Sequence, residues 1–294
     1  MDVSIIIINY NTSKLINGCI KSIFEKTNNI EYEIIVVDNA TEELKTVIES
    51  ADDSRVKLLQ LPENIGFGRA NNEGFKISKG HNILCLNPDT ILLNNAVKIL
   101  SDYLDAHPEC GACGGNLFDE DLQPSLSFRR RLPGIAWEFN ELTNHTLDKL
   151  CYGKSRLFNY TNKPLQVGLI QGADIMIPRE IFKAVRGFSP DFFMFFEETD
   201  LCARIKSLGK SLWSVPEAQI QHLEGESFTN KKLNIKRLEL VEEGRINYYK
   251  HNCSERTLRI SNRLRKWTLF LKKIIGRNQH FDMLYATFCK LTNQ

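Results

Sequence analysis

Three acidic residues directly follow a run of aromatic residues in the second half of the chain. The stretch Phe192–Phe196 is almost wholly apolar, and Glu197, Glu198 and Asp200 come next, where apolar residues begin to recur at helical spacing. Acids at a helix start can simply complement the positive end of the helix dipole. Carboxylates beside buried aromatic rings can instead have shifted pKa values that suit proton transfer. The residues alone leave both interpretations open, a charged helix start and an acid–base site.

A second candidate site combines Asp89 and His222. Asp89 ends the strand-like run NILCLNPD (82–89), and His222 lies at the end of another, over 211–223. A carboxylate with a nearby imidazole can hold a hard divalent cation, Mg²⁺ or Mn²⁺, that also binds phosphate oxygens. Such an ion would neutralise a diphosphate leaving group. For His222 alone, the alternative is an ordinary surface or hydrogen-bonding role.

Strand-like and helix-like segments alternate through the first 106 residues. The pattern predicts strands over 3–10, 32–39, 56–61 and 82–89, and helices over 13–26, 41–51, from the glycine-rich loop to Ser78, and over 94–106. This alternation predicts an α/β fold with a mostly parallel sheet flanked by helices.

Ligands in such sheets bind beyond the carboxyl ends of the strands. Polar residues cluster at those ends: Asn9, Asn11, Asp38, Asn39, Asn87 and Asp89. Turn chemistry is the alternative explanation for any single pair, but it is weaker for a pattern that recurs on three strands.

The alternation ends after residue 110. We expect strands near 111–119, 167–178 and 211–223, an irregular excursion over 128–162, and helices from about residue 230. Residues 1–230 carry 23 basic and 31 acidic residues, a net charge of −8, whereas residues 231–294 carry 15 and 5, a net charge of +10. We therefore divide the chain into a domain over 1–230 and a basic, mainly helical extension over 231–294.

The basic extension contains an amphipathic helix over 256–277, with Trp267 and other apolar residues at helical spacing between Lys and Arg. This pattern predicts contact with an anionic membrane surface. Packing on the first domain or on a second copy of the chain, as a homodimer, is the alternative. Nucleic acid is a poorer partner because no recognised binding module accompanies the charge.

Composition indicates a cytoplasmic protein that associates peripherally with the inner face of the membrane. No apolar stretch reaches the roughly 20 residues needed to span a bilayer, and no secretory signal begins the chain. The eight cysteines are scattered, as expected for free thiols in a reducing compartment. Cys110 and Cys113 form a CxxC with no second pair at zinc spacing, which disfavours a structural zinc site.

Seven stretches, taken in order, resemble family 2 glycosyltransferases, the inverting GT-A-type enzymes, and within them a rhamnosyltransferase-like branch. They are VSIIIINYN (3–11), VVDNA (36–40), NIGFGRANNEG (64–74), LNPDT (86–90), QGADIMIPRE (171–180), GFSPDFFMFFEETDLCARI (187–205) and HLEGES (222–227). The resemblance covers roughly residues 1–250, and it implies a GT-A-type, Rossmann-like fold.

The resemblance also implies roles for individual residues. Glu197 and Glu198 occupy the family's catalytic Glu-Asp pair, whose second member is the general base, and Glu198 stands where Asp is usual. Asp89 matches the last Asp of the metal-binding DxD motif, here in an NPD form, and His222 matches a residue of the metal or diphosphate site. The remaining substrate contacts are assigned to Asn9, Asn11, Asp38, Asn64, Gly66, Arg69, Asn71, Asn87, Gln171, Gly172 and Asp200.

The implied reaction moves a sugar from a nucleotide-sugar donor to a glycan or lipid-linked glycan acceptor with Mg²⁺ or Mn²⁺, in cell-surface polysaccharide synthesis. The branch favours L-rhamnose from dTDP-L-rhamnose. A sugar-phosphate nucleotidyltransferase is one alternative, but the loop after the first strand, NTSKL, lacks the glycines that it would need. A non-catalytic, membrane-associated scaffold that binds nucleotide sugars is the other.

Overall fold

The computed structural model describes residues 1–40, 48–223, 235–276 and 279–292. The predicted helix over 41–51 falls largely outside these ranges. The strands are β1 (Val3–Asn9), β2 (Tyr32–Asp38), β3 (Val56–Gln60), β4 (Asn82–Leu86), β5 (Thr90–Leu92), β6 (Cys110–Phe118), β7 (Phe128–Arg129), β8 (Leu165–Val167), β9 (Leu169–Ile170), β10 (Asp174–Pro178) and β11 (Ser211–His222).

The α-helices in the described ranges are α1 (Ser13–Lys26), α2 (Phe67–Ile77), α3 (Ala96–Ala106), α4 (Ile135–Leu142), α5 (Thr146–Tyr152), α6 (Arg179–Ala184), α7 (Glu197–Ser207), α8 (Ile235–Asn252), α9 (Glu255–Gly276) and α10 (Gln279–Thr292). The predicted alternation of strands and helices is confirmed, and so is the α/β fold class with a C-terminal helical extension.

A central sheet runs in the order β3-β2-β1-β4-β10-β6-β11-β5, with β8 paired to β11. Strands β3, β2, β1 and β4 are parallel, as the βαβ pattern predicts. Strand β10 enters antiparallel between β4 and β6, although it comes much later in the chain. The sheet is therefore mixed, and the antiparallel insertion brings residues near 174 to the carboxyl end of β4.

Both faces of the sheet are covered because the residues of the central strands alternate between two apolar clusters. Ile5 and Ile7 of β1 belong to a cluster that includes α1 and α3. Ile6 and Ile8 belong to a second cluster that includes α2, α6 and α7. Fully buried Ile-rich strands of this kind are typical of a sheet covered on both faces.

The excursion predicted over 128–162 contains β7, α4 and α5, and the C-terminal helices pack on it. Arg245 of α8 forms a buried ion pair with Glu138 of α4 at 2.9 Å, and the Tyr249 hydroxyl donates to the same carboxylate. Arg265 of α9 pairs with the fully buried Glu242 of α8. Helices α8 and α9 are thus joined to α4 by paired buried charges, although a domain boundary at 230 stays a prediction.

All eight cysteines lie in the described ranges and are free. Cys110 and Cys113 are buried, and their thiols donate to the carbonyl oxygens of Ala112 and Leu100. Burial raises the pKa of Cys110 to about 12. The CxxC spacing therefore reflects two structural thiols on β6.

Candidate active site

The two glutamates begin α7 after a strained turn. Phe195 and Phe196 have φ values of 70° and 66°, in the left-handed region that bulky residues rarely adopt. Such a conformation costs on the order of 1–3 kcal/mol for each residue and persists only where the surroundings enforce it. Helix α8 supplies one constraint, because Gly244 has no side chain and its backbone packs directly against the Phe195 carbonyl. Backbone strain of this kind is typical of functional sites.

The glutamate pair is electrostatically coupled. Glu197 is 7% exposed, and burial, followed by the charge of Glu198, raises its pKa to about 8. Burial also raises the pKa of Glu198, whereas hydrogen bonds, including one from the Thr199 hydroxyl at 3.3 Å, oppose the shift. Within the described part of the chain, Oε2 of Glu197 has no hydrogen-bond partner. Two such carboxyl groups share protons as a unit, which suits a proton acceptor that works near neutral pH.

Gly172 lies against Glu198 of this pair, and Gln171 precedes it in the chain. The backbone amide of Gln171 donates to the Ser127 carbonyl at 3.0 Å, which fixes the segment that precedes β10. A Cβ on Gly172 would lie 3.4 Å from Cβ and Cγ of Glu198. Gly172 therefore borders the glutamate pair, and contact of Gln171 and Gly172 with substrate stays a prediction.

Asp89, His222 and Asn87 form a second cluster. Nε2 of His222 lies 3.3 Å from Oδ1 of Asp89 and 3.4 Å from Nδ2 of Asn87. The register of β11 on β5 places His222 opposite Thr90, next to Asp89. Asp89 and His222 are only 7% and 6% exposed. Strand pairing thus brings together two residues that are 133 positions apart in the chain.

The donor set of this cluster fits a hard divalent cation. It offers a carboxylate, an imidazole nitrogen and an amide group, which are ligands that Mn²⁺ and Mg²⁺ accept. Among the described residues, no group of three or more His, Cys, Asp or Glu side chains is arranged to hold a metal ion. The protein ligands are therefore too few for a closed site, and substrate oxygens and water would complete the coordination.

The two clusters meet across a pair of adjacent residues. The backbone amide of Asn87 donates to the Ala173 carbonyl at 2.9 Å, and Gly172, the residue before Ala173, contacts Glu198. Consecutive Cα atoms are about 3.8 Å apart. The carboxyl end of β4 and the start of α7 therefore both contact the segment that leads into β10.

Asn9 and Asp38 join the ends of β1 and β2. Nδ2 of Asn9 donates to Asp38 at 2.7 Å, and Gln60 of β3 donates to the other carboxylate oxygen. Oδ1 of Asn9 accepts from the Thr12 hydroxyl at 2.8 Å. Asp38 is fully buried, so its carboxylate aligns three strand ends. Contact of Asp38 or of the exposed Asn11 with a nucleotide stays a prediction.

The loop after β3 is tied to the segment before the glutamates. Asn39 donates to Asn64 at 2.8 Å, and Asn64 accepts from the Gly66 amide at 3.0 Å. Gly66 has a φ of 87°, and a side chain there would collide with the backbone of Phe193. The Phe67 amide donates to that Phe193 carbonyl at 3.1 Å. Glycine is required here because two backbones touch.

Three residues predicted to bind substrate have protein partners in the structure. The guanidinium of Arg69 donates to the Pro190 carbonyl through Nε and Nη2, which fixes its position and uses only part of its five N–H donors. Asn71 is fully buried and donates to the carbonyl of Phe67 one turn earlier. Asp200 accepts from Arg204 at 2.7 Å and from Asn252 of α8 at 2.8 Å. In this structure these three side chains stabilise the walls of the site, and substrate contact stays untested.

Sequence reasoning missed Asp174 and Arg129. Asp174 is fully buried in β10, and one of its oxygens accepts from the Gly115 amide at 2.6 Å. Burial raises the pKa of Asp174 to about 7, and the charge of His222 opposes this shift. The sequence signal that could have identified Asp174 is a carboxylate within the otherwise apolar run ADIMIP. Arg129 lies in β7, where its charge reaches Glu198; nothing in the irregular excursion distinguished it from Arg130 and Arg131.

Comparison with known proteins identifies the class. The family model described as glycosyl transferase family 2 matches residues 4–166, which is more than half of the chain. The chain belongs to this family. The match includes β1 to β8, and thus the strand ends that carry Asn9, Asp38 and Asp89.

Curated relatives agree with this class at low identity. The chain is 24% identical over 235 residues to the amylovoran biosynthesis glycosyltransferase AmsE of Erwinia amylovora, covering 78% of this chain and 79% of AmsE. It is 27% identical over 194 residues to an N-acetylglucosaminyl-diphospho-decaprenol L-rhamnosyltransferase of Mycobacterium tuberculosis, covering 57% of this chain and 58% of the relative. It is also 27% identical to the uncharacterized protein y4gI of Sinorhizobium fredii, of which it spans a quarter.

Solved structures share the fold. A crystal structure of GalNAc-T7 with UDP, GalNAc and Mn²⁺ superposes with a TM-score of 0.59 at 15% identity, covering 84% of this chain and 50% of that one. A structure of residues 1–349 of S. aureus TarS superposes with a TM-score of 0.53 at 15% identity, covering 100% of this chain and 92% of that one. These neighbours confirm the predicted GT-A-type architecture.

Proposed function

We propose that this chain is an inverting, metal-dependent glycosyltransferase that moves a sugar from a nucleotide-sugar donor to a hydroxyl of a glycan or lipid-linked glycan. One observation carries the proposal. The coupled pair Glu197–Glu198 and the cluster of Asp89 with His222 are linked through one short segment, because Gly172 contacts Glu198 while the Ala173 carbonyl accepts from the backbone amide of Asn87. A proton acceptor and a cation site on opposite sides of one space are what a single displacement requires.

Glu198 is the general base in this mechanism. Burial and the charge of Glu198 raise the pKa of Glu197 to about 8, so the pair titrates as a unit and one of its carboxylates can accept a proton near neutral pH. Glu198 accepts the proton of the acceptor hydroxyl as that oxygen attacks the anomeric carbon. General-base catalysis of this kind contributes typically about 10²–10⁴-fold. The longer side chain at position 198, where the family usually has Asp, lies against Gly172, which leaves it space.

Asp89 and His222 hold the donor side, with Asn87 beside them. A divalent cation bound there supplies positive charge that stabilises a departing diphosphate. Because the base and the leaving group lie on opposite sides of the anomeric carbon, one displacement inverts its configuration.

The relatives support a donor and an acceptor class. The names of AmsE and of the rhamnosyltransferase point to polysaccharide synthesis and to a lipid diphosphate acceptor. On this basis we assign L-rhamnose from dTDP-L-rhamnose as the first donor to test. The donor nucleotide would lie over the ends of β1 to β3, where Asn9, Asp38 and Asn64 order the backbone.

A donor screen tests this proposal. The chain is heated with a panel of nucleotide sugars and either Mg²⁺ or Mn²⁺, and the melting temperature is recorded. Ligand at 100 times its dissociation constant adds about 2.7 kcal/mol of stability. We expect one nucleotide sugar to stabilise the chain only with metal, and its transferred product to have the inverted anomer. Stabilisation by a nucleoside triphosphate and a sugar phosphate would instead favour a nucleotidyltransferase.

We also propose that α9 contacts the anionic inner face of the cytoplasmic membrane. Its packed side carries Ser261, Asn262, Thr268 and Leu269, whereas its outer side exposes Trp267, Phe270, Leu271, Ile274 and Ile275. Exposed basic residues accompany this apolar face: Arg256, Arg259 and Arg263. An apolar face with adjacent positive charge is complementary to anionic lipid. Among the described helices, none has the length and apolar composition needed to cross a bilayer.

Point substitutions test the membrane contact better than deletion, since α9 also pairs with Glu242 through Arg265. Trp267→Ser combined with Ile274→Ser should abolish sedimentation with phosphatidylglycerol vesicles and leave the melting temperature unchanged. Binding that survives this change would contradict the proposal. A shift from dimer to monomer in the same variant would identify a second copy as the partner.

A further inference from the structure

The position of Arg129 is set by two strands beside the catalytic pair. Arg129 ends β7 and pairs with Leu169 of β9. Strand β9 leads directly to Gln171 and to Gly172, which lies against Glu198. The charges of Glu141, Asp148 and Glu198 oppose the lowered pKa of Arg129, and the charge of Arg129 opposes the raised pKa of Glu198. The pairing of β7 with β9 therefore places Arg129 beside the segment that contacts Glu198, on the base side of the site.

The surroundings of Arg129 leave its donors unused. Its guanidinium carbon lies 4.8 Å from the centre of the Trp137 ring, and burial is the largest cause of its lowered pKa. Within the described ranges its side chain forms no hydrogen bond and no close ion pair. Other arginines of this region do: Arg131 lies 3.4 Å from Asp148, and Arg245 lies 2.9 Å from Glu138. A partly desolvated guanidinium without hydrogen-bond acceptors is unfavourable unless a ligand supplies them.

The mechanism indicates which substrate supplies those acceptors. In an in-line displacement the donor diphosphate leaves on the side of Asp89 and His222, and the acceptor approaches from the side of Glu198. An oxyanion that reaches Arg129 is therefore part of the acceptor. Arginine binds phosphate and carboxylate through two parallel hydrogen bonds, and an aromatic ring such as Trp137 keeps the guanidinium plane oriented.

We propose that Arg129 is an acceptor-binding residue that selects acceptors with an oxyanion, a phosphate ester or a carboxylate, next to the attacked sugar. This inference rests on the proposed transferase function and adds a specificity determinant to it. Trp137 acts as a positioning residue, because it contacts the guanidinium and not the reacting atoms.

The test compares acceptors and variants with the full chain. Three synthetic acceptors carry the same sugar: a neutral alkyl glycoside, an alkyl diphosphate-linked glycoside and a uronic acid glycoside. The variants are Arg129→Gln and Arg129→Lys, with Arg130→Gln as a matched control, because Arg130 is the next residue in the chain and its guanidinium lies over the Tyr152 ring. Initial rates give KM for the acceptor and for the donor, and donor hydrolysis is measured without acceptor.

We expect Arg129→Gln to raise KM for an anionic acceptor by about 10- to 100-fold, the loss typical of a charge-assisted hydrogen bond. KM for the neutral acceptor, KM for the donor and donor hydrolysis should stay within about twofold, and Arg129→Lys should recover part of the loss. The diphosphate and uronic acid arms show which oxyanion is preferred.

An equal rise in KM for the neutral and the anionic acceptors would overturn the inference. A raised KM for the donor would place Arg129 on the donor diphosphate instead. Should Arg129→Gln fail to fold, Arg129→Lys carries the same comparison, since it keeps the charge and loses the paired geometry. If the unmodified chain transfers no sugar and hydrolyses no donor, the proposed function itself fails, which is a result distinct from transfer that ignores acceptor charge.

Discussion

Replacement of Glu197 by Gln should change how stability depends on pH. The pKa of Glu197 rises from an ordinary 4.5 to about 8 because burial and the charge of Glu198 disfavour its ionised form. Its protonated form therefore contributes stability that is fully present below about pH 4.5 and is lost as the pH rises through about 8. Each pKa unit corresponds to about 1.4 kcal/mol, so ionisation at high pH costs the folded state on the order of 4–5 kcal/mol.

The assay is urea unfolding of the unmodified chain and of Glu197→Gln at intervals from pH 5 to pH 9. We expect similar unfolding free energies near pH 5 and an advantage of the variant that grows between about pH 5 and pH 8 and then levels off, because Gln keeps the shape of the neutral acid and cannot ionise. Glu180→Gln is the matched control, since Glu180 also lies in the first turn of a helix but pairs with Lys183 at the surface. Parallel curves for all three proteins would refute the reasoning.

Two further predictions concern the cation site and the packing of the C-terminal helices. Asp89→Ala should abolish metal-stimulated binding of the nucleotide sugar in calorimetry, because it removes the carboxylate that faces His222; undiminished binding with metal would reject this role. Arg245→Met should destabilise the chain by about 3–5 kcal/mol in urea, because Glu138 stays buried without its partner. Lys98→Met, which removes a surface ion pair with Asp102, should lower the unfolding free energy by less than about 1 kcal/mol. Equal losses of unfolding free energy in the two variants would contradict the conclusion that the Arg245–Glu138 pair is buried.

Much of the fold was predictable because local pattern and tertiary packing agree. Helix α1 spans Ser13–Lys26, the predicted range, since its apolar residues recur at a spacing that faces the sheet. The parallel half of the sheet follows from the βαβ alternation. The antiparallel entry of β10 did not follow, because no local signal specifies that residues 174–178 pair between β4 and β6.

In the candidate site, too, local sequence predicts which residues matter, whereas their contacts depend on strand pairing and helix packing. Asp89 and His222 were named from their positions at strand ends and from the family resemblance, but their 3.3 Å approach depends on the register of β11 on β5. Arg69 is predicted to contact substrate, and its guanidinium also donates to the Pro190 carbonyl, a contact that depends on how α2 packs against the segment before α7. Arg129 was missed because only the pairing of β7 with β9 brings it to Glu198.

For α9 the sequence predicts the amphipathic pattern but not which side of the helix packs on the rest of the chain. Helical spacing predicted an amphipathic segment, and the sequence left packing on the first domain as an alternative. In the structure the packed side uses polar residues and the Glu242–Arg265 pair, which leaves Trp267 and Ile274 exposed by 59% and 53%. Buried charge pairs cannot be read from periodicity, because partners such as Glu138 and Arg245 are far apart in the chain.

The most direct test of the central claim is a single-turnover comparison of Glu198→Gln with the unmodified chain, with donor affinity measured in parallel. If Glu198 accepts the hydroxyl proton, transfer should slow by about 10²–10⁴-fold while the donor dissociation constant in the presence of metal changes less than about twofold. Transfer at an undiminished rate would contradict the account.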